Sequence, residues 1–190
     1  MSEMVRSSRF TCVLDTCVIY PLEIRDVLLW FAWEGLYVPK WTAKIHEEWD
    51  RAMKRKGVQP AERQKRCKAI DDAFPFARVI NYEPLVERLE LPDPDDRHVL
   101  AAAIKVNANL IVTNNLKDFP PKYLASLGLA AKSADDFLAD IVDLDTDTAV
   151  AAFRKLVSYR RNPEMDEYQV LDAMRRNELA DTADYLHSQL

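Results

Sequence analysis

Asp93-Pro94-Asp95-Asp96 places three carboxylates in four residues, just ahead of the apolar helical stripe Val99, Leu100, Ala103 and Ile104. Part of this run is helix-start chemistry, with Asp93 as cap, Pro94 at the first helical position and acids complementing the helix dipole. At about 100° per residue, however, Asp96 projects near the middle of the apolar stripe, while Asp95 falls to one side and faces solvent. A carboxylate centred on a buried face needs a partner. Two further acids stand in comparable positions. Asp15 ends the apolar, β-prone run Phe10-Thr11-Cys12-Val13-Leu14. In the helical stretch Thr42 to Lys56, Glu48 lies at the edge of the face formed by Ile45, Trp49 and Met53, and Glu47 lies nearly opposite it. A last polar group, Thr113-Asn114-Asn115-Leu116-Lys117-Asp118, follows an apolar segment, and its Asn115 and Asp118 also have the spacing of a helix cap.

These groups are useful together only if the fold converges them. Short strands are predicted over Phe10 to Leu14, Tyr37 to Pro39, Ala77 to Ile80, Asn109 to Thr113 and Leu129 to Lys132. Helices are predicted between them, over Leu22 to Glu34, Thr42 to Lys56, Ala61 to Phe74, Pro94 to Val106, Lys122 to Leu127 and Ala134 to Val142. Alternation of this kind implies an α/β fold with a parallel sheet of four or five strands, wrapped on both faces, that binds ligands at the carboxyl edge of its strands. The helix opened by Asp96 must run back against the strands, so its start shares that edge with Asp15 and Asn115. Like charges converging in a partly desolvated cleft are the usual setting for a divalent cation, and an all-oxygen ligand set favours Mg²⁺ or Mn²⁺ over zinc. After Leu144 the pattern turns to helices alone, split by Asn162-Pro163 and Asn177, so residues 1–144 are expected to form the main domain and residues 145–190 a helical extension.

The blocks Leu14-Asp15-Thr16, Ile45-His46-Glu47-Glu48-Trp49, Asp96-Arg97-His98-Val99-Leu100-Ala101-Ala102-Ala103 and Val112-Thr113-Asn114-Asn115-Leu116-Lys117-Asp118-Phe119 occur in the order seen in PIN-domain nucleases, and the chain resembles that family over about Phe10 to Val142. Within it the resemblance is nearest to VapC-type toxins of toxin-antitoxin pairs. It implies a three-layer PIN-like fold and a Mg²⁺- or Mn²⁺-dependent endoribonuclease held silent by a cognate antitoxin protein. The family's acids carry over to Asp15, Glu48 and Asp96. Its fourth position carries over to Asn115 or Asp118, with Thr16, Thr113 and Asp93 in support. Two departures stand out: Cys17 where members commonly have Asn, and Asn115 where many have an acid.

Composition narrows the alternatives. Only three glycines occur, which excludes a Walker-type or G-x-G-x-x-G phosphate loop. Twenty-six Lys and Arg against 31 Asp and Glu give a net charge of −5, so any RNA must be recruited by a local basic surface. The stretch Arg51 to Lys68 is the candidate, with Arg51, Lys54, Arg55 and Lys65 as phosphate contacts; a solvated helical face explains it equally well. Three cysteines without a C-x-x-C pattern, no apolar leader in MSEMVRSSRF and no long apolar run predict a soluble, cytoplasmic protein with no membrane partner. His46, His98 and His187 lack zinc or triad spacing, and all three are expected at the surface, His98 on the outer face of its helix. In the extension, the stripe Val150, Phe153, Val157 and the stripe Met165, Tyr168, Leu171, Met174 are expected to pack on the main domain, with antitoxin binding or homodimer formation as the alternative. A housekeeping RNA-processing nuclease and a binding module with a degenerate site stay open beside the toxin reading. A HAD-like phosphatase does not, since it needs an acid where Cys17 stands.

Overall fold

In the computed structural model residues 10–190 are described, so the reading of the first nine residues as free of a leader lies outside them. Five strands, β1 (Thr11–Leu14), β2 (Val38–Thr42), β3 (Arg78–Val79), β4 (Leu110–Val112) and β5 (Ala130–Lys132), form one parallel sheet in the order β3-β2-β1-β4-β5. The chain winds outward from β1 to β3 and then returns to lay β4 on the other side of β1. The crevice between the ends of β1 and β4 is therefore the topological switch point, where open parallel sheets hold their ligands.

Helices cover both faces. They are α1 (Thr16–Ile19), α2 (Leu22–Trp33), α3 (Ala43–Arg55), α4 (Pro60–Ala73), α5 (Glu83–Val86), α6 (Arg97–Lys105), α7 (Pro121–Ser126), α8 (Ala134–Leu144), α9 (Thr146–Tyr159), α10 (Glu167–Arg176) and α11 (Ala180–His187). The central strands are buried on both sides, as the runs Cys12-Val13-Leu14 and Leu110-Ile111-Val112 require. Beside them α6 buries every residue from His98 to Ala103, and its three small alanines let the helix approach the sheet closely. The start of α3 is fixed by Thr42, whose hydroxyl accepts a hydrogen bond from the Ile45 amide at 3.2 Å, and Ile45, Trp49 and Met53 turn inward one helical turn apart. Gly57, at φ +78°, lets the chain leave α3 through a backbone conformation that side chains disfavour.

The three C-terminal helices are those expected. Val150, Phe153 and Leu156 bury one face of α9, which packs on α2, and α11 packs on α8 through Thr182, whose hydroxyl donates to Asp135 at 2.6 Å. In α10 the buried set is Val170, Leu171, Ala173 and Met174, so Leu171 and Met174 of the expected stripe pack inward while Tyr168 is 58% exposed. The third strand shrinks to two residues, leaving Ile80 at the surface. No helix among the described residues is long and apolar enough to cross a membrane.

Candidate active site

Asp15 stands one residue beyond β1 and opens α1, buried to 5% exposure at the switch point. Its carboxylate is held from three sides. The Thr16 amide donates to Oδ1 at 2.6 Å, and the Thr113 hydroxyl and the Cys17 thiol donate to Oδ2 at 2.8 and 3.1 Å. Burial, then the negative charge of Asp15, push the Cys17 thiol up to about 12, so it stays protonated and serves as a donor. Cys17 thereby gives Asp15 a donor at the position where the family commonly has Asn.

Glu48 reaches the same cleft from the second turn of α3, as the angular count required, while Glu47 faces solvent. The Thr16 hydroxyl donates to its Oε2 at 2.6 Å, and His98 Nε2 lies 3.0 Å from its Oε1. Burial alone would raise this carboxyl, but the His98 and Thr16 hydrogen bonds outweigh it and hold Glu48 below the usual carboxylate range. The expected surface position of His98 is thus corrected, for the residue is 2% exposed. The stripe Val99, Leu100, Ala103 and Ile104 lies within α6, but burial there is not confined to that stripe and extends to His98, Ala101 and Ala102. The unbroken small and apolar run Val99 to Ala103 was the available signal, since a helix buried all round has no outer face. His46 is also buried, stacked on Trp41, and His187 alone of the three is exposed.

Asp96 ends the 3-10 turn half-buried, and Asp93 caps that turn by accepting from the Asp95 amide at 2.9 Å. Carboxylate oxygens of Asp93, Asp96 and Asp118 lie within 4.8 Å of one another. Burial first, then the negative charges of Asp15, Asp93, Asp118 and Glu48, push the Asp96 carboxyl up to about 7. Asn115 does not cap the turn that follows it. Its Nδ2 donates instead to Asp118 at 2.6 Å and to Asp96 at 3.3 Å, separating two carboxylates with one amide. Thr113, fully buried, takes the Asn115 amide proton at 3.0 Å while giving its own to Asp15, and so ties the end of β4 to the end of β1.

The resulting cleft, of about 660 Å³, is lined by Asp15, Thr16, Cys17, Tyr20, Glu48, Ala52, Arg55, Lys56, Asp96 and Asn115. It has an acidic floor and a basic rim. Of the four basic candidates Arg55 reaches that rim, and Arg51 sits 3.9 Å from Glu48 with most of its side chain in solvent. Lys54 and Lys65 are exposed outside the lining, and Lys56, not singled out from the sequence, joins Arg55. Neighbouring Arg63, Arg66 and Lys68 are engaged with Asp50, Glu62 and Asp72.

A PIN domain family model matches residues 11–117, more than half of the chain and every acid of the site except Asp118, which lies one residue beyond it. The chain belongs to the PIN-domain family. A model described as the VapC50 C-terminal domain matches residues 134–188 of this PIN protein. The chain is also similar to the protein named "Putative ribonuclease VapC50" of Mycobacterium tuberculosis, 40% identical over 79 residues, a stretch that spans 42% of this chain and 47% of the relative. The match therefore spans about half the relative's length. No solved structure matches the chain significantly.

Proposed function

We propose that this PIN protein is a divalent-metal-dependent endoribonuclease, the toxin of a VapC-type toxin-antitoxin pair. One observation carries the reading: Asp15, Glu48, Asp96, Asn115 and Asp118, contributed by four separated parts of the chain, meet at the switch point of a parallel sheet. The name of the mycobacterial relative, that of a ribonuclease, and the match to a VapC50 C-terminal domain support the substrate class and the toxin subgroup. A cytoplasmic location and a cognate antitoxin partner follow from that subgroup.

The donor set fits a hard divalent cation. It is all oxygen, it is crowded enough to keep a proton on Asp96, and its charge exceeds what the nearby Asn115 amide can offset. Asp15, Asp96 and Glu48 would hold Mg²⁺ or Mn²⁺, with Asn115 and Asp118 completing the set. Such an ion supplies Lewis acidity to a phosphodiester and to the water that attacks it. The protein's own groups do the positioning. Thr113 and Cys17 aim Asp15, while Thr16 and His98 aim Glu48. Asp96 would hold such an ion as the carboxylate, without its proton. The Arg55 and Lys56 side chains on the rim meet the phosphates of the incoming chain. No protein nucleophile is required, and Cys17 is a poor one, being protonated and engaged with Asp15.

The reading is tested by incubating the pure protein with total RNA in EDTA and in Mn²⁺ and mapping the cut ends. Cleavage is expected in Mn²⁺ and absent in EDTA. Cutting that persists under chelation contradicts the mechanism.

A further inference from the structure

Beside the acidic cleft lies a second one of about 360 Å³, lined by Tyr20, Leu22, Arg25, Trp49, Met53, Lys56, Val58 and Arg66. Tyr20 and Lys56 belong to both linings, so the two clefts are continuous. Their chemistry is opposite. The first holds three acids in its floor, whereas the second has three cations and no acid among its lining residues. Two of the three cations have an acid beside them that is not in the lining, with Asp26 Oδ1 3.9 Å from Arg25 Nε and Glu62 Oε1 2.9 Å from Arg66 Nε.

Arg25 is built in rather than draped over the surface. Its side chain is 11% exposed, its Nη1 donates to the Ile19 carbonyl at 3.1 Å, and its guanidinium lies over the Trp49 ring at 5.1 Å from the centroid. Lys56, at the end of α3, and Arg66, on α4, are exposed, and Arg66 is paired through Nε with Glu62. Tyr20 and Leu22 contribute a partly exposed aromatic ring and an apolar side chain between the cations. Cations for a phosphate beside an aromatic and an apolar surface for a base are the parts of a sequence-tolerant single-strand site. The volume is within the about 300–1,000 Å³ range of pockets that enclose a small ligand.

We infer that this second cleft is a nucleotide subsite for single-stranded RNA. A phosphate next to the scissile one lies among Arg25, Lys56 and Arg66, and the adjoining base stacks on Tyr20 against Leu22. The inference rests on the ribonuclease reading and adds to it a direction, since the RNA leaves the acidic floor past Lys56 and Tyr20 toward α4.

The test compares RNA cleavage kinetics in Mn²⁺ for the wild type, the double variant Leu22→Ala/Arg66→Glu, whose two residues line only the second cleft, and the control Lys105→Glu, which makes the same charge change on another surface. Leu22 and Arg66 are solvent-facing, so the fold is retained. The subsite predicts that KM rises about tenfold or more in the first variant, with a shallower salt dependence, while the control stays within about twofold of wild type. Manganese affinity measured by calorimetry stays at the wild-type value in both. Tyr20→Ala should raise KM about fivefold or more through lost stacking. If the wild type cleaves RNA and the double variant shifts KM no further than the control, the subsite is wrong and the nuclease reading stands, even where the same variant weakens a protein partner's hold. A wild type that cleaves no RNA overturns both.

Discussion

Asp96 keeps its proton to about pH 7 because burial and four neighbouring acids oppose its ionisation, while in an unfolded chain the same carboxyl ionises near 3.8. Between those values the folded state binds a proton that the unfolded state has released. Stability of the cation-free protein therefore falls as pH rises from about 4 to about 7 and is not recovered above that. Asp96→Asn removes this term. The cation-free variant should melt at or above the wild-type temperature, by a margin that widens between about pH 5 and about pH 8. Manganese should then raise the wild-type melting temperature far more than the variant's. A mere helix-dipole role gives the opposite pattern, a loss of about 0.3–1 kcal/mol for the variant with an unchanged response to Mn²⁺. Thermal melts of both proteins with and without the ion separate the two. Asp96 itself was legible from the sequence because one angular count set a charged group on an apolar face. By local pattern its neighbours Asp93 and Asp118 read as cap residues, and they entered the site through the family resemblance, since their approach depends on two 3-10 turns whose geometry a helical count does not describe.

Elements rather than single residues decide how well the site is held. The sequence shows β1 and β4 as short apolar runs ending in polar groups, and that is enough to place Asp15 and Thr113 together once the sheet is parallel. The switch point between them follows from strand order, which no local pattern encodes. Helix α3 was equally plain from Ile45, Trp49 and Met53, and with it the inward reach of Glu48. The brace between α3 and α6 was not, because a helix buried on both its apolar stripe and the neighbouring face offers no periodic pattern that marks His98 as buried. His98 fills a buried position and gives Glu48 one of its two close hydrogen bonds. His98→Ala should lower stability by about 2–4 kcal/mol in urea unfolding, combining a cavity with a lost bond to a charged group. It should also reduce RNA cleavage by folded protein. A loss below about 0.5 kcal/mol, the size of an ordinary surface substitution, would show that α3 and α6 do not depend on this contact.

At the scale of the whole molecule, the net charge of −5 hides a sharp local arrangement, an acidic floor at the switch point continuing into a cationic cleft between α3 and the start of α2. The C-terminal helices complete the same body. Helix α9 covers α2, α11 covers α8, and Glu178, between α10 and α11, accepts through Oε2 from Asn114 Nδ2 at 3.0 Å beside the end of β4. Their amphipathic stripes made them visible in the sequence as packing helices, but the reach of Glu178 to the flank of the site depends on tertiary docking alone. The measurement that bears most directly on the account is a crystal structure of the protein soaked with Mn²⁺, read by the anomalous signal of the ion. A peak at coordination distance from the carboxylate oxygens of Asp15 and Asp96, absent from crystals of Asp96→Asn, is the expected result. No peak among these acids, in crystals of a preparation that cleaves RNA in the same Mn²⁺ buffer, would contradict it.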